Sequence, residues 1–254
     1  MIKTLPRLLL LTFLIASRYA LAATSTEIKQ PQAPVTAITP INVSPGDSDS
    51  AVNAWNSRTA SLTKAPGFIS ATLYQSVLPG SPWPLIEIVQ WQSYTTWTKA
   101  HDNPGRNSLT GFYRPAVAYF NLAARHESQL PEALLNRVKK DPAFSHPESP
   151  FVFINLMEMA PEDATTFIAD WKIRSQLTRQ QAGSMNATLY RAVLPDERYS
   201  IINVSQWQSY NAFVDAQNDP TYSRQLQNNL NQTSSIKLIR GFFRPVAYQI
   251  QTYD

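Results

Sequence analysis

The side chains best suited to chemistry lie on two strand-like segments in the second half of the chain. Tyr190 closes the sequence Ala-Thr-Leu-Tyr, and Asn203 stands four positions before Trp207. A phenol, a carboxamide and an indole each join a planar body to a hydrogen-bonding group, as pockets for small aromatic molecules require. A carboxamide between apolar strand neighbours must also find a partner, or its burial costs about 1 to 3 kcal/mol. These three residues are the first candidates for a functional site.

Related residues occur in the first half of the chain. They are Tyr74, Glu87 and Trp91, together with Thr72 and its second-half equivalent Thr188. We consider them candidate substrate-binding residues. Glu87 could act as a base if burial raised its pKa, and an exposed position on its strand is the alternative.

Strand alternation divides the candidates between two faces. Ile86 and Ile88 share one face of their strand, while Glu87 and Trp91 share the other, and the second half repeats this alternation. We expect the apolar face to pack on helices and the mixed face to line a cavity between two sheets. To the mixed face we also assign residues of the preceding strands, namely Thr72, Tyr74, Thr188 and Tyr190. In the alternative interpretation, these aromatic side chains only fill the contact between the sheets.

Metal and nucleotide sites have little support. The sequence contains no Cys, and its three His residues, His101, His126 and His146, form no H-x-x-x-H pair. It also contains no G-x-G-x-x-G, Walker or G-x-S-x-G motif. We therefore expect no metal site, and nucleotide and serine-hydrolase sites have no support.

The candidate residues belong to an internal repeat. Residues 71–79 read Ala-Thr-Leu-Tyr-x-x-Val-Leu-Pro, and the same pattern returns at 187–195, an offset of 116 residues. The same offset places Trp55 on Trp171 and Arg58 on Arg174. A register kept over about 70 residues indicates a duplicated domain, and the period is too long for a solenoid.

The ends of the two copies fix their limits. Gly-Phe-Tyr-Arg-Pro at 111–115 matches Gly-Phe-Phe-Arg-Pro at 241–245 with an offset of 130, so the second copy carries a 14-residue insertion around 225–240. We assign the first copy to residues 35–122 and the second copy to 151–254. The linker at 123–150 is predicted to hold a short helix at 131–140 and a proline-rich connector at 141–150.

Each copy has the pattern strand, helix, strand, strand, helix, strand. In the second copy, Pro161 and the two acids after it are typical of a helix start. Ser93 and Ser209 are predicted N-caps of the later, shorter helices. The order βαββαβ is the ferredoxin-like arrangement, an α+β fold in which a four-stranded antiparallel sheet carries helices on one face. The two copies can then cover each other as an internal pseudo-dimer.

The start of the chain reads as a secretory signal. Two cations precede an apolar run at 8–16, and Ala-Leu-Ala at 20–22 forms a cleavage site. We expect cleavage after Ala22, a flexible leader at 23–34, and a periplasmic or secreted protein that does not span a membrane. Outside this signal 19 basic and 18 acidic residues remain, so nucleic acid is not an expected partner.

The spacing Gly-x-x-x-x-x-Leu-Tyr at 183–190, followed by Asn-x-x-x-Trp-x-Ser-Tyr at 203–210 and a short helix before a Pro, resembles the antibiotic biosynthesis monooxygenase family. The resemblance implies ferredoxin-like domains that pair into a dimeric α/β barrel, here within one chain. It implies that Asn203 and Trp207 position an aromatic substrate and O₂. Quinone-forming members carry a Tyr six positions after this Trp, and this chain has Phe213 there. His101 matches a His found in many members.

The resemblance suggests an exported monooxygenase that oxidises a phenolic small molecule with O₂ and without a cofactor. In this interpretation Asn203, Trp207 and Tyr190 are catalytic, while Tyr74, Glu87, Trp91, Thr72, Thr188 and His101 bind substrate. One alternative is a non-catalytic binding protein with the same cavity. Another is a purely structural pseudo-dimer whose sheets pack without a cavity. The substrate, the active copy and any further oligomer stay open.

Overall fold

The computed structural model of the protein describes residues 32–44, 46–78, 80–101, 117–121, 150–194, 197–224 and 236–252. The predicted signal and almost all of the leader lie outside the described residues. The same holds for the predicted helix at 131–140, for nearly all of the connector at 141–150, and for most of the insertion around 225–240.

Both copies form the predicted order of elements. The first copy contains β1 (Val35–Ile41), α1 (Ser48–Ala60), β2 (Phe68–Ser76), β3 (Leu85–Trp91), α2 (Tyr94–His101) and β4 (Val117–Asn121). The second copy contains β5 (Phe151–Glu158), α3 (Pro161–Gln180), β6 (Ser184–Ala192), β7 (Ile201–Trp207), α4 (Tyr210–Asn218) and β8 (Lys237–Ile250). The α+β class and the ferredoxin-like order are confirmed.

The helices begin where their sequences favour a start. Pro161 is the first residue of α3, and Glu162 and Asp163 place negative charge in its first turn. At α4 the Oγ of Ser209 accepts a hydrogen bond of 3.0 Å from the backbone N–H of Ala212. The predicted N-cap is therefore present, and it orients α4 over the end of β7.

The eight strands close into one barrel in the order β1-β3-β2-β8-β5-β7-β6-β4. All the neighbouring strands are antiparallel, and the two copies join where β2 pairs with β8 and where β4 pairs with β6. Each copy thereby covers the sheet edges of the other, which would otherwise be open to pairing. The predicted pseudo-dimeric α/β barrel is confirmed.

The barrel interior is filled by side chains that come almost entirely from strands of both copies. Eleven strand residues form this cluster: Ile38, Tyr74, Ile86, Ile88, Val152, Ile154, Leu156, Tyr190, Ile202, Val204 and Phe243. Eight strands leave an interior just wide enough for such packing. The helices lie outside the barrel, and none of the helices in the described ranges is long and apolar enough to cross a membrane.

Candidate functional site

The two faces of β3 and β7 point in directions opposite to those expected from the sequence. Ile86 and Ile88 pack inside the barrel, whereas Glu87 contacts side chains of α1 and Trp91 belongs to the core beneath the helices. The expectation that the apolar face meets the helices is therefore corrected. Closure of the barrel explains the difference, because a narrow interior without solvent favours apolar side chains.

The expected grouping of the tyrosines with Glu87 and Asn203 is also corrected. Tyr74 pairs with Ile86, and Tyr190 pairs with Ile202, so both phenols point into the barrel. Alternation puts Thr72 and Thr188 on the same inward face. Burial, and next the neighbouring phenol of Tyr190, raises the pKa of Tyr74 above its usual range. These four residues do not line the cavity described next.

A cavity of about 330 Å³ lies between the sheet of the second copy and its helices α3 and α4. Its volume falls within the range of about 300 to 1,000 Å³ usual for small-molecule pockets. Asn203 and Trp207 both line it. The site thus lies outside the barrel, not between two sheets as expected from the sequence.

The floor of the cavity carries a row of polar side chains on neighbouring strands. Asn155 of β5 is opposite Asn203 of β7 on one side and opposite Arg240 of β8 on the other. Within the described part of the chain, the buried Oδ1 of Asn155 has no hydrogen-bond partner. A bound molecule with a hydroxyl or N–H group would satisfy this oxygen.

The amide of Asn203 is oriented by the helix above it. The indole Nε1 of Trp171 donates a hydrogen bond of 3.0 Å to Oδ1 of Asn203. An indole nitrogen can only donate, so the amide oxygen faces α3 and the amide N–H₂ group is left to donate elsewhere. The site therefore holds an oriented hydrogen-bond donor in the wall of the cavity.

Aromatic rings form one side of the cavity. The ring centroid of Phe153 lies 5.3 Å from that of Phe213 and 5.5 Å from that of Phe242. Trp207 packs edge-on against Phe213 at 5.4 Å, and its Nε1 donates to the Oγ of Ser205 at 3.3 Å. These rings can hold a flat aromatic molecule by stacking and edge contacts.

One cation is placed in the roof of the cavity. Arg174 of α3 lines the space, and its guanidinium carbon lies 5.1 Å from the centroid of the Phe167 ring. Burial lowers the pKa of Arg174, while Tyr222 and Asp170 oppose this change. The guanidinium nevertheless stays charged, because arginine is not deprotonated in proteins.

Several described first-copy positions equivalent to the cavity lining carry larger apolar side chains. Leu62, Val89 and Trp97 stand where the second copy has Thr178, Ser205 and Phe213, and they belong to or pack against the core of the first copy. Glu87 stands in the place of Asn203. Among the described residues, larger apolar side chains and a buried carboxylate thus stand at positions that border the cavity in the second copy.

Glu87 is held by two side chains of α1. The Nε1 of Trp55 donates to its Oε1 at 2.7 Å, and the guanidinium of Arg58 forms an ion pair with the same oxygen. The residue is 1% exposed. Glu87 is therefore a buried structural carboxylate in this fold, and the exposed strand position considered from the sequence is corrected.

His101 and Trp91 lie together in the first copy, away from the cavity. The Nδ1 of His101 donates to the backbone oxygen of Trp97 at 2.8 Å, and its ring lies 6.1 Å from the ring of Trp91. Since a carbonyl can only accept, this contact places a proton on Nδ1. The structure does not bring these two residues to the second-copy site.

Sequence reasoning missed the helix side of the site. Trp171 and Arg174 were recognised as repeat partners of Trp55 and Arg58 but not as site residues. A cation three positions after a Trp, on the helical face that also carries Phe167, was the available signal. Among the described residues, no group of three or more His, Cys, Asp or Glu is close enough to hold a metal ion.

Comparison with known proteins supports the fold and not the chemistry. No protein-family model matches the sequence. A search of curated protein sequences likewise finds no match.

Solved structures do match. An anthrone oxidase-like protein aligns with a TM-score of 0.66 at 11% identity, over 87% of this chain and 94% of the other. A Fusobacterium nucleatum protein whose name proposes monooxygenase activity aligns with a TM-score of 0.57 at 8% identity, over 86% and 95%. A similarly named Lactobacillus acidophilus protein gives 0.56 at 8% identity, over 86% and 97%. Both copies are covered in each alignment, so the chain shares the barrel fold of these proteins.

Proposed function

We propose that this protein oxidises an aromatic small molecule with O₂ in the cavity of the second copy, as a member of the antibiotic biosynthesis monooxygenase family. The observation that carries the proposal is the contact between Trp171 and Asn203, which leaves an oriented amide donor in an aromatic cavity that Trp207 also lines. The sequence resemblance and the shared fold with an anthrone oxidase-like protein support it.

The oriented amide would stabilise the negative charge that develops on the substrate. An anthrone-type substrate loses a proton from its CH₂ group to solvent to give a phenolate anion, and the amide N–H₂ of Asn203 stabilises that anion by a hydrogen bond. The anion transfers an electron to O₂, and a carbon–oxygen bond then forms. Loss of water from the resulting hydroperoxide breaks the O–O bond and leaves a carbonyl. One oxygen atom stays in the product, and the other leaves as water with the two hydrogens of the CH₂ group.

The test is O₂ uptake by chelator-treated protein supplied with anthrone, with the quinone product measured by absorbance. Asn203→Ala should lower the rate by about 10² to 10³, the usual cost of removing one donor to a developing anion. Trp207→Phe should lower it as well, because it changes the wall that positions the ring. Asn218→Ala is the matched control, since Asn218 is an exposed amide outside the cavity lining. An unchanged rate in both cavity variants would reject this site.

A non-catalytic binding protein is the second candidate, and one observation favours it. The described residues that line the cavity include no Asp, Glu or His, so a general base for the proton of the substrate is missing from this set. Binding of an aromatic ligand can be monitored by the quenching of Trp fluorescence. Binding without O₂ uptake or product formation would support this function over oxidation.

We also propose that the protein acts outside the cytoplasm. The cations, the apolar run and the Ala-Leu-Ala sequence at 1–22 support export through a cleaved signal. Cell fractionation with N-terminal sequencing provides the test. A mature chain that begins at Ala23 in the periplasm or medium is expected, and intact Met1 in the cytoplasm would contradict it.

A further inference from the structure

The two copies arrange the same pair of donors around different acceptors. In the first copy, Trp55 and Arg58 of α1 both contact one oxygen of Glu87. In the second copy, the equivalent donors are Trp171 and Arg174 of α3, and the strand residue below them is Asn203. The internal repeat therefore supplies a built-in comparison between a carboxylate and a carboxamide beneath the same types of donor.

The first copy shows which group suits this pair of donors. Glu87 is 1% exposed, so its carboxylate is held in place by the indole and the guanidinium instead of by water. Both donors meet one oxygen of this carboxylate, and hydrogen bonds to a charged acceptor are stronger than those to a neutral one. The chemistry of the site in the first copy is therefore recognition of a carboxylate.

The second copy keeps the donors and removes the negative charge from the strand. Asn203 retains the hydrogen bond to the indole, but a carboxamide is neutral. Arg174 and Arg240 are both in the cavity lining, whose described residues include no Asp or Glu. Asp170, which interacts electrostatically with Arg174 from the preceding turn of α3, is not part of that lining. The described lining of the cavity thus carries two cationic side chains and no acidic one.

We infer that the cavity of the second copy binds an aromatic carboxylate. Its carboxylate group lies against Arg174, above the neutral side chain of Asn203, and supplies the negative charge that Glu87 supplies to Arg58 in the first copy. The inference rests on the proposed function for its site and names the class of molecule that the site accepts.

The remaining walls fit the other end of such a molecule. Phe153, Phe213 and Phe242 offer ring faces and edges for the aromatic body. Burial of the Arg174 guanidinium removes part of its hydration, and an anionic ligand offsets that loss. A guanidinium in the cavity wall is sufficient for this role, whatever other groups it also contacts.

The test compares 2-naphthoate with 2-naphthamide, which share a shape and differ in charge, by calorimetric titration. The unaltered protein should bind 2-naphthoate at least tenfold more tightly than 2-naphthamide. Arg174→Met should abolish this preference and leave the Kd of 2-naphthamide unchanged. Arg179→Met is the matched control, because Arg179 is an exposed arginine of the same helix and lies outside the lining. It should retain the full preference.

A second variant keeps the test decisive if Arg174→Met does not fold. Asn203→Glu reproduces the first-copy arrangement, and it should remove 2-naphthoate binding while the melting temperature is maintained or raised. Equal affinity for the two ligands, no binding of 2-naphthoate, or an unchanged preference in the folded variants would overturn the inference. Since these titrations need no turnover, such a result would leave the anthrone assay as a separate test of the proposed function.

Discussion

The indole of Trp171 and the amide of Asn203 join the helix that covers the cavity to the strand that forms its floor, through a hydrogen bond of 3.0 Å. The same link in the first copy runs from Trp55 to Glu87 at 2.7 Å. One contact is neutral and the other involves a charge. The two copies thus use the same helix-to-strand link with acceptors of different charge.

Replacing each indole with a phenyl ring should therefore have unequal effects. Trp171→Phe removes a neutral hydrogen bond and should lower the free energy of unfolding by about 1 kcal/mol in addition to the loss of packing. Trp55→Phe removes a hydrogen bond to a carboxylate, so the corresponding decrease should be about 2 kcal/mol. Urea unfolding of the two variants measures this. Equal losses, or a larger loss for Trp171→Phe, would contradict the charge difference between the copies.

Neutralising Glu87 should destabilise the fold strongly. Glu87→Gln leaves the Arg58 guanidinium without its buried carboxylate and should cost about 3 to 5 kcal/mol. Glu158→Gln is the matched control, because Glu158 pairs with Arg198 and Lys237 at the surface, where such pairs contribute under about 1 kcal/mol. The free energy of unfolding in urea distinguishes the two. A loss for Glu87→Gln as small as the control's would mean that the ion pair is not structural.

Gly183 should not tolerate a side chain. Its φ is +79°, and an added Cβ would lie 2.5 Å from the Cβ of Ala212 in α4. Gly80→Ala is the control for backbone strain alone, since Gly80 has a φ of +74° and nothing within 4 Å of an added Cβ. We expect Gly80→Ala to lower the free energy of unfolding by about 1 kcal/mol and Gly183→Ala to lower it clearly more. Gly183→Ala should also weaken ligand binding, because it displaces α4. Similar melting temperatures for the two variants would contradict close packing of α4 on this turn.

The fold should lose stability in alkali partly through Tyr74. Burial is the main cause that raises the pKa of Tyr74 above its ordinary value of about 10, and the nearby phenol of Tyr190 is the second. The folded protein keeps this phenol neutral while the unfolded chain ionises, so its contribution is complete below about pH 10 and is lost as the pH rises towards the folded-state pKa. Tyr74→Phe should make the decline in unfolding free energy between about pH 9 and pH 11 shallower. An identical slope in both proteins would contradict the buried position of this hydroxyl.

The sequence alone predicts the architecture because the repeat exposes it. The offset of 116 residues aligns the two copies, and helix starts such as Pro161 and Ser209 lie where the structure has them. Two ferredoxin-like units in one chain then leave few ways to cover their open sheet faces and edges. These are local and periodic features, which a single sequence contains.

The faces of the strands could not be predicted in the same way. Alternation separates Ile86 from Glu87 but does not say which of them meets the helices, and nearly every residue of β3 is buried. The polarity of Glu87 suggests a cavity around it. The carboxylate instead forms an ion pair with Arg58, which lies 29 positions earlier on α1. The register that sets Tyr74 against Ile86 depends on pairing between strands, which the residues of one strand do not determine.

The location of a bound aromatic acid tests the central claim most directly. A crystal structure with 6-bromo-2-naphthoate, located by the anomalous signal of its bromine, should show the ring among Phe153, Phe213 and Phe242 and the carboxylate beside Arg174. Bromine inside the barrel next to Tyr74 and Tyr190, or in the first copy next to Trp91, would contradict a site between the sheet and helices of the second copy.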